Sequence, residues 1–123
     1  MIVNKREIIL ATWMNGLFYY NLKSKILLKI SDTEEYQYNN QALVRIGNII
    51  ISKITAYTII LYNIRNKKIL KTIELDTTIH HIKKLGKESL FICAESNIFL
   101  FNLQNYLSLK IEKDLYVINY TKI

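Results

Sequence analysis

Three short stretches decide the reading: Tyr20-Asn21-Leu22, Tyr62-Asn63-Ile64 and Phe101-Asn102-Leu103, each an aromatic, an asparagine and an aliphatic residue. Asn21, Asn63 and Asn102 stand 42 and 39 residues apart, a spacing that marks a reused structural unit. Three residues beyond each asparagine comes another small polar residue, Ser24, Asn66 and Asn105. An alternating apolar run follows each time: Ile26 to Ile30, Ile69 to Ile73 and Leu107 to Ile111. Alternation with a period of two is the mark of a half-buried strand.

Upstream of each asparagine lie two further apolar runs separated by turn-like residues. These are Ile8 to Met14 and Leu17 to Leu22, Asn48 to Ile54 and Thr58 to Ile64, then Ser89 to Ala94 and Asn97 to Leu103. Asn15-Gly16 between the first two is the strongest hairpin signal in the chain. Ala42 to Ile46 and Thr78 to Lys84 add a preceding strand to the second and third units. Four short antiparallel strands in about 40 residues make a propeller blade, so the sequence predicts an all-β, WD40-like β-propeller segment. Its blades fall at 1–31, 42–75 and 78–112, with an extra strand at 115–120 that would serve as a spare inner strand. Blades bury their faces against neighbouring blades, and closed rings take about four or more. Three blades therefore leave an incomplete ring, to be completed by more of a longer chain, by a second copy or by another protein.

Composition agrees. The 123 residues suffice for one domain, half of them are hydrophobic, and Pro is absent while Gly numbers three. With Ile dominant and nine Tyr, strand formers prevail. No uninterrupted apolar stretch reaches the roughly 18 residues of a membrane span. Lys5 and Arg6 before an apolar run superficially resemble a signal segment, but Asn15-Gly16 split it and no small-residue cleavage site follows. The single Cys93, read as a buried core thiol, marks no oxidising compartment. A cytoplasmic location, with peripheral membrane contact, is the resulting expectation.

The net charge of +7 is not spread evenly over the inferred blades. Antiparallel strands put the first and third turns of every blade on one side of the disc. That side collects Lys23, Lys25, Arg65, Lys67, Lys68, Lys84 and Lys87, a candidate face for an anionic partner. The other side collects Asp32, Glu34, Glu35, Glu74, Asp76, Glu95, Glu112 and Asp114, leaving only Glu7 and Glu88 elsewhere. Lys29, Lys71 and Lys110 sit in the outermost strands, where lysine discourages edge-to-edge pairing.

Catalytic material is scarce, and the chain reads as a non-enzyme without a cofactor. His80 and His81 are adjacent in a strand, point to opposite faces and cannot share a metal. Glu34-Glu35 lie in a polar connection, no phosphate-binding glycine loop is present, and Trp13 reads as core. A small basic nucleic-acid binder is the alternative, since tyrosines can stack on bases. The tyrosines, however, fall within strand periods and do not accompany the lysine clusters, which argues against nucleic acid.

From Thr58 onward the residues resemble the PROPPIN family, the WIPI-like phosphoinositide-binding propellers of autophagy. Ile60 to Lys68, Ile73-Glu74-Leu75 and Thr78 to Lys83 resemble that family's second and third blades. Leu90 to Glu95, Ile98 to Asn105 and Leu107 to Glu112 resemble its third, and Ile9 to Thr12 with Gly16 to Asn21 its first. The resemblance covers about three of the family's seven blades. It implies a scaffold that docks on phosphoinositide-bearing membranes and recruits autophagy proteins. The family's lipid sites use an Arg-Arg pair on a later blade, whereas Arg6, Arg45 and Arg65 here are isolated, so no lipid-site residues follow. The family's amino-terminal blades contact partner proteins, and protein recruitment is what the resemblance implies for this chain.

Overall fold

In the computed structural model the described residues are 1–12, 15–33, 43–95, 98–103 and 116–117. All eleven regular elements among them are strands. The first sheet holds β1 (Glu7–Ala11), β2 (Leu17–Asn21) and β3 (Leu27–Ser31), in that order. The second holds β4 (Leu43–Ile46), β5 (Ile49–Lys53), β6 (Thr58–Asn63) and β7 (Lys68–Glu74). The third holds β8 (Ile79–Leu85), β9 (Ser89–Ala94), β10 (Ile98–Asn102) and β11 (Tyr116–Val117). Every pairing is antiparallel between chain neighbours, so each sheet is a meander of the kind that forms a propeller blade.

The Asn repeat has a local cause. Asn21 Oδ1 accepts from the backbone N–H of Lys23 and Ser24, both at 2.9 Å, and Asn63 Oδ1 accepts from that of Arg65 at 2.8 Å. Side-chain capping of this kind starts a turn. The turns then close with Lys25 N–H on the Asn21 carbonyl (2.8 Å) and Lys67 N–H on the Asn63 carbonyl (2.9 Å). Lys25 and Lys67 consequently adopt left-handed backbone conformations, with φ of 62° and 58°. The aliphatic residue after each asparagine plays an equivalent part in all three units. Its N–H ties this turn to an earlier one: Leu22 to the Arg6 carbonyl, Ile64 to that of Asn48 and Leu103 to that of Glu88.

At the first hairpin Gly16 has φ 112°, and a Cβ there would lie 2.6 Å from the Ser31 carbonyl oxygen. Only glycine lets β2 begin beneath the end of β3.

The sheets stack face to face. In the second sheet, Ile50, Ile60 and Tyr62 pack against Ile9, Leu17 and Tyr19 of the first. Ile51, Ile59 and Leu61 pack on the other side against Ile79, Ile82, Leu90 and Ile92 of the third. Consecutive residues of β6 thus serve two cores, which is why Thr58 to Tyr62 are all buried. Among the described residues, no other sheet packs on the outer face of the first sheet. Cross-strand partners there are Ile8 with Tyr20 and Leu10 with Phe18, and Leu10 and Leu27 are 39% and 54% exposed.

Several sequence expectations need correction. Tyr116–Val117 is not a free-standing inner strand: it pairs with Ile98–Phe99 in the fourth place of the third sheet. The unpaired N–H and C=O groups along the edge of β10 provide that register. The inner edge of the first sheet is not empty either. Ile9 N–H donates to the Met1 carbonyl at 2.8 Å, and Ile2 bridges Ile8. Cys93 is half-buried rather than core, because it lies on the outward face of the third sheet opposite His81 and Ile98. Trp13, Glu34, Glu35, Lys110 and the segment Leu107 to Ile111 lie outside the described residues.

Replacing Ile60 by Ala, or Ile59 by Ala, should each cost about 2–5 kcal/mol, as deletions in close-packed cores do. Leu27→Ala, on the open face, should change stability by less than about 0.5 kcal/mol. Urea denaturation of the three variants checks this, and a small loss for either isoleucine would contradict burial on both sides of the sheet.

Candidate functional site

The seven basic residues predicted to share a side are all exposed. Lys23 and Lys25 belong to the β2–β3 turn, Arg65 and Lys67 to the β6–β7 turn with Lys68 opening β7, and Lys84 and Lys87 to the β8–β9 hairpin. The bonds from Leu22, Ile64 and Leu103 hold these turns beside the segments at Arg6, Asn48 and Glu88. Of the acids, Glu7 and Glu88 alone among those described occur at this end of the strands; Asp32, Glu74, Asp76 and Glu95 follow the opposite ends of β3, β7 and β9.

The structure concentrates only some of these cations. A recess of about 360 Å³ opens between the first and second sheets, with Asn4, Glu7, Arg45, Asn48, Arg65 and Lys67 on its walls. Beside it a second recess, about 410 Å³, lies between the outer strands β3 and β7. Leu28, Ile30, Tyr62 and Ile69 line it together with Lys67 and Lys68. Lys67 belongs to both. Lys23, Lys25, Lys84 and Lys87 border neither.

Arg45 was not visible in the sequence as a member of this group, because it sits within a strand run rather than a turn. Its face of β4 looks toward the first sheet, and its guanidinium bridges the two. One N–H reaches the Val3 carbonyl at 2.6 Å, and Nε–H reaches that of Gly47 at 2.8 Å. The nearby Gly47, a turn residue with φ 60°, is the one sequence cue that places Arg45 at the basic end.

Along the wall of the recess runs a polar chain, part-buried at Tyr19 and exposed at Asn4. The Tyr19 hydroxyl donates to the Glu7 carboxylate, Asn4 Nδ2–H donates to the same carboxylate at 2.7 Å, and Asn21 Nδ2–H reaches the Tyr19 oxygen at 3.3 Å. Lys67 Nζ stands 4.9 Å from the centre of the Tyr19 ring, a cation–π contact from the second sheet to the first. The bond from Tyr19 chiefly, and then that from Asn4, holds the Glu7 carboxyl below its ordinary range. Burial, then the neighbouring Glu7, pushes Tyr19 up. Burial likewise pushes Tyr62 up to about 12.

Nothing in this arrangement supplies a nucleophile with an aligned base. Among the described residues no three His, Cys, Asp or Glu side chains form a metal-holding group. His80 is exposed and falls within the register shift between Ile79 and His81, and His81 is half-buried. No described helix is long and apolar enough to cross a membrane. What the seam offers is charged and apolar surface for binding.

No family model matches the sequence, and no curated protein matches it. The fold has a solved counterpart. Hsv2 of Kluyvelomyces marxianus, a PROPPIN, superposes with a TM-score of 0.51 at 16% sequence identity, over 86% of this chain. The chain spans about a third of that structure's length, 34%. The likeness establishes a PROPPIN-like propeller fold for the three sheets, and at this identity it speaks to fold alone.

The buried tyrosine sets an alkaline limit on stability. Tyr62 is neutral in the fold to about 12 against an ordinary 10.0. Its contribution is therefore complete below pH 10 and is lost as the pH rises toward 12, because the unfolded chain releases the proton first. Tyr62→Phe should flatten that alkaline fall in urea midpoint measured between pH 9 and 12. An unchanged slope would place the hydroxyl in water.

Proposed function

We propose that this chain is a non-enzymatic β-propeller segment that acts as a protein-interaction scaffold, in its most specific form a PROPPIN-like one serving autophagy and phosphoinositide-dependent membrane trafficking. The observation that carries the reading is the unequal cover of the sheets. The second is buried on both faces, whereas the first presents Leu10, Phe18, Tyr20 and Leu27 on a face that no described residue of another sheet covers. A blade in that state gains from a neighbour, whether a second copy or blades of another protein. The likeness of the sheets to Hsv2, whose chain is about two and a half times as long, supports the same reading.

The basic end, with Lys23, Lys25, Arg65, Lys67, Lys68, Lys84 and Lys87, is the second surface of the scaffold. On this reading it meets acidic protein or, peripherally, the anionic surface of a membrane from the cytoplasm. Tyr19 and Tyr62 are packed in the seam rather than displayed as stacking platforms, which counts against nucleic acid as the partner.

Light scattering and a hydrophobic dye test the open face together. Either a mass above 14.6 kDa that grows with concentration, or a monomer whose dye fluorescence falls in Leu10→Lys and Leu27→Lys, supports the proposal. A dye-silent monomer of 14.6 kDa overturns it.

Flotation with liposomes tests the membrane arm. With no two of Arg6, Arg45 and Arg65 consecutive in the chain, the chain alone should float no better with phosphatidylinositol 3-phosphate than with phosphatidylserine at equal charge. Selective flotation with the phosphoinositide would show that a lipid site exists without an arginine pair.

A further inference from the structure

The two recesses at the first seam share Lys67 as a wall residue, and their linings differ. One is cationic, with Arg45, Arg65 and Lys67 against the single carboxylate of Glu7. Three cations against one carboxylate leave the recess with a net positive charge, and that carboxylate is occupied by bonds from Tyr19 and Asn4. Arg45 is held in place by the Val3 and Gly47 carbonyls, while Arg65 is exposed and adaptable. The other recess sets aliphatic side chains among lysines: Leu28 and Ile30 on β3 and Ile69 on β7, the first and last 40% and 43% exposed, with Lys29, Lys67 and Lys68 beside them.

We infer that this seam is the docking groove for an extended acidic segment of a partner protein, with an aliphatic side chain between β3 and β7 and the following carboxylates against Arg65, Lys67 and Arg45. The inference deepens the scaffold reading by naming one of its contact sites, and it rests on that reading. Charge complementarity selects the occupant. Guanidinium groups engage carboxylates through paired N–H donors, and an apolar anchor beside them fixes the register of the bound chain. A nucleic acid would find no aromatic face here, since Tyr62 is 3% exposed and the Tyr19 ring is covered by Lys67. A bilayer laid along the seam would meet, at its apolar end, the carboxylate of Asp32, which follows Ile30 and Ser31 and is paired with Lys29.

The test uses the full chain and a fluorescent ten-residue peptide with two leucines followed by three glutamates. Fluorescence anisotropy should show saturable binding that weakens roughly tenfold in Arg65→Glu, a charge reversal at the contact. Ile69→Ser should weaken it several-fold, with circular dichroism unchanged in both variants. The double variant Lys84→Glu, Lys87→Glu reverses charges on the same side of the disc but away from the seam, and should bind within about twofold of the parent. Leu27→Lys, on the open face of the first sheet, should also leave peptide binding intact.

Three results would overturn the inference: no saturable binding, equal losses in Arg65→Glu and the Lys84/Lys87 variant, or equal affinity for a peptide with lysines in place of the glutamates. Failure here with the open-face experiment still positive removes this groove alone. Failure of the open-face experiment with peptide binding intact removes the completion of the ring and leaves the groove.

Discussion

A sheet with two apolar faces needs a neighbour on each side, and the second sheet of this protein is the place where that requirement is met. Ile60 and Tyr62 fill the core shared with the first sheet, Ile59 and Leu61 the core shared with the third. Alternate residues of one strand therefore bind three sheets into a stack, and the loss of apolar surface to water drives the whole arrangement. Both proposed contact surfaces are positioned by it. The seam recesses exist because two blades meet at Tyr62 and Tyr19, and the outer face of the first sheet is one that no other sheet covers among the described residues.

The basic end of the molecule follows from the same geometry. In a meander of antiparallel strands alternate turns emerge together, so lysines placed in equivalent turns of a repeat accumulate on one side. The asparagine turn makes that placement reproducible: Asn21 and Asn63 cap their loops and force Lys25 and Lys67 into the left-handed region. Lysine has no special ease there, unlike glycine or asparagine. For Lys67 the outcome is a side chain laid over Tyr19, where one cation belongs to the packing of the seam and to its electrostatics alike.

Much of this was legible beforehand. The spacing of the asparagines, the alternation of the apolar runs and the Asn15-Gly16 hairpin located the eleven described strands to within a few residues, because strand formation depends on local periodicity and turn chemistry. What differed was the pairing at the ends: β11 joins the edge of β10, and residues at the start of the chain pair with β1. Cys93 was misjudged because an apolar run says only that a strand is buried, not which of its faces lacks a partner.

By itself, then, the order of residues determined the repeat, the class of fold, the segregation of charge and the poverty of catalytic groups, all of which depend on neighbours along the chain. Tertiary structure alone decided that Arg45 joins Arg65 and Lys67 at one recess, that Glu7 is tied down by Tyr19 and Asn4, and that an aliphatic groove adjoins them. Those residues come from strands and turns tens of positions apart. Only the stacking of one sheet on another, with its particular register and twist, sets the distances between them.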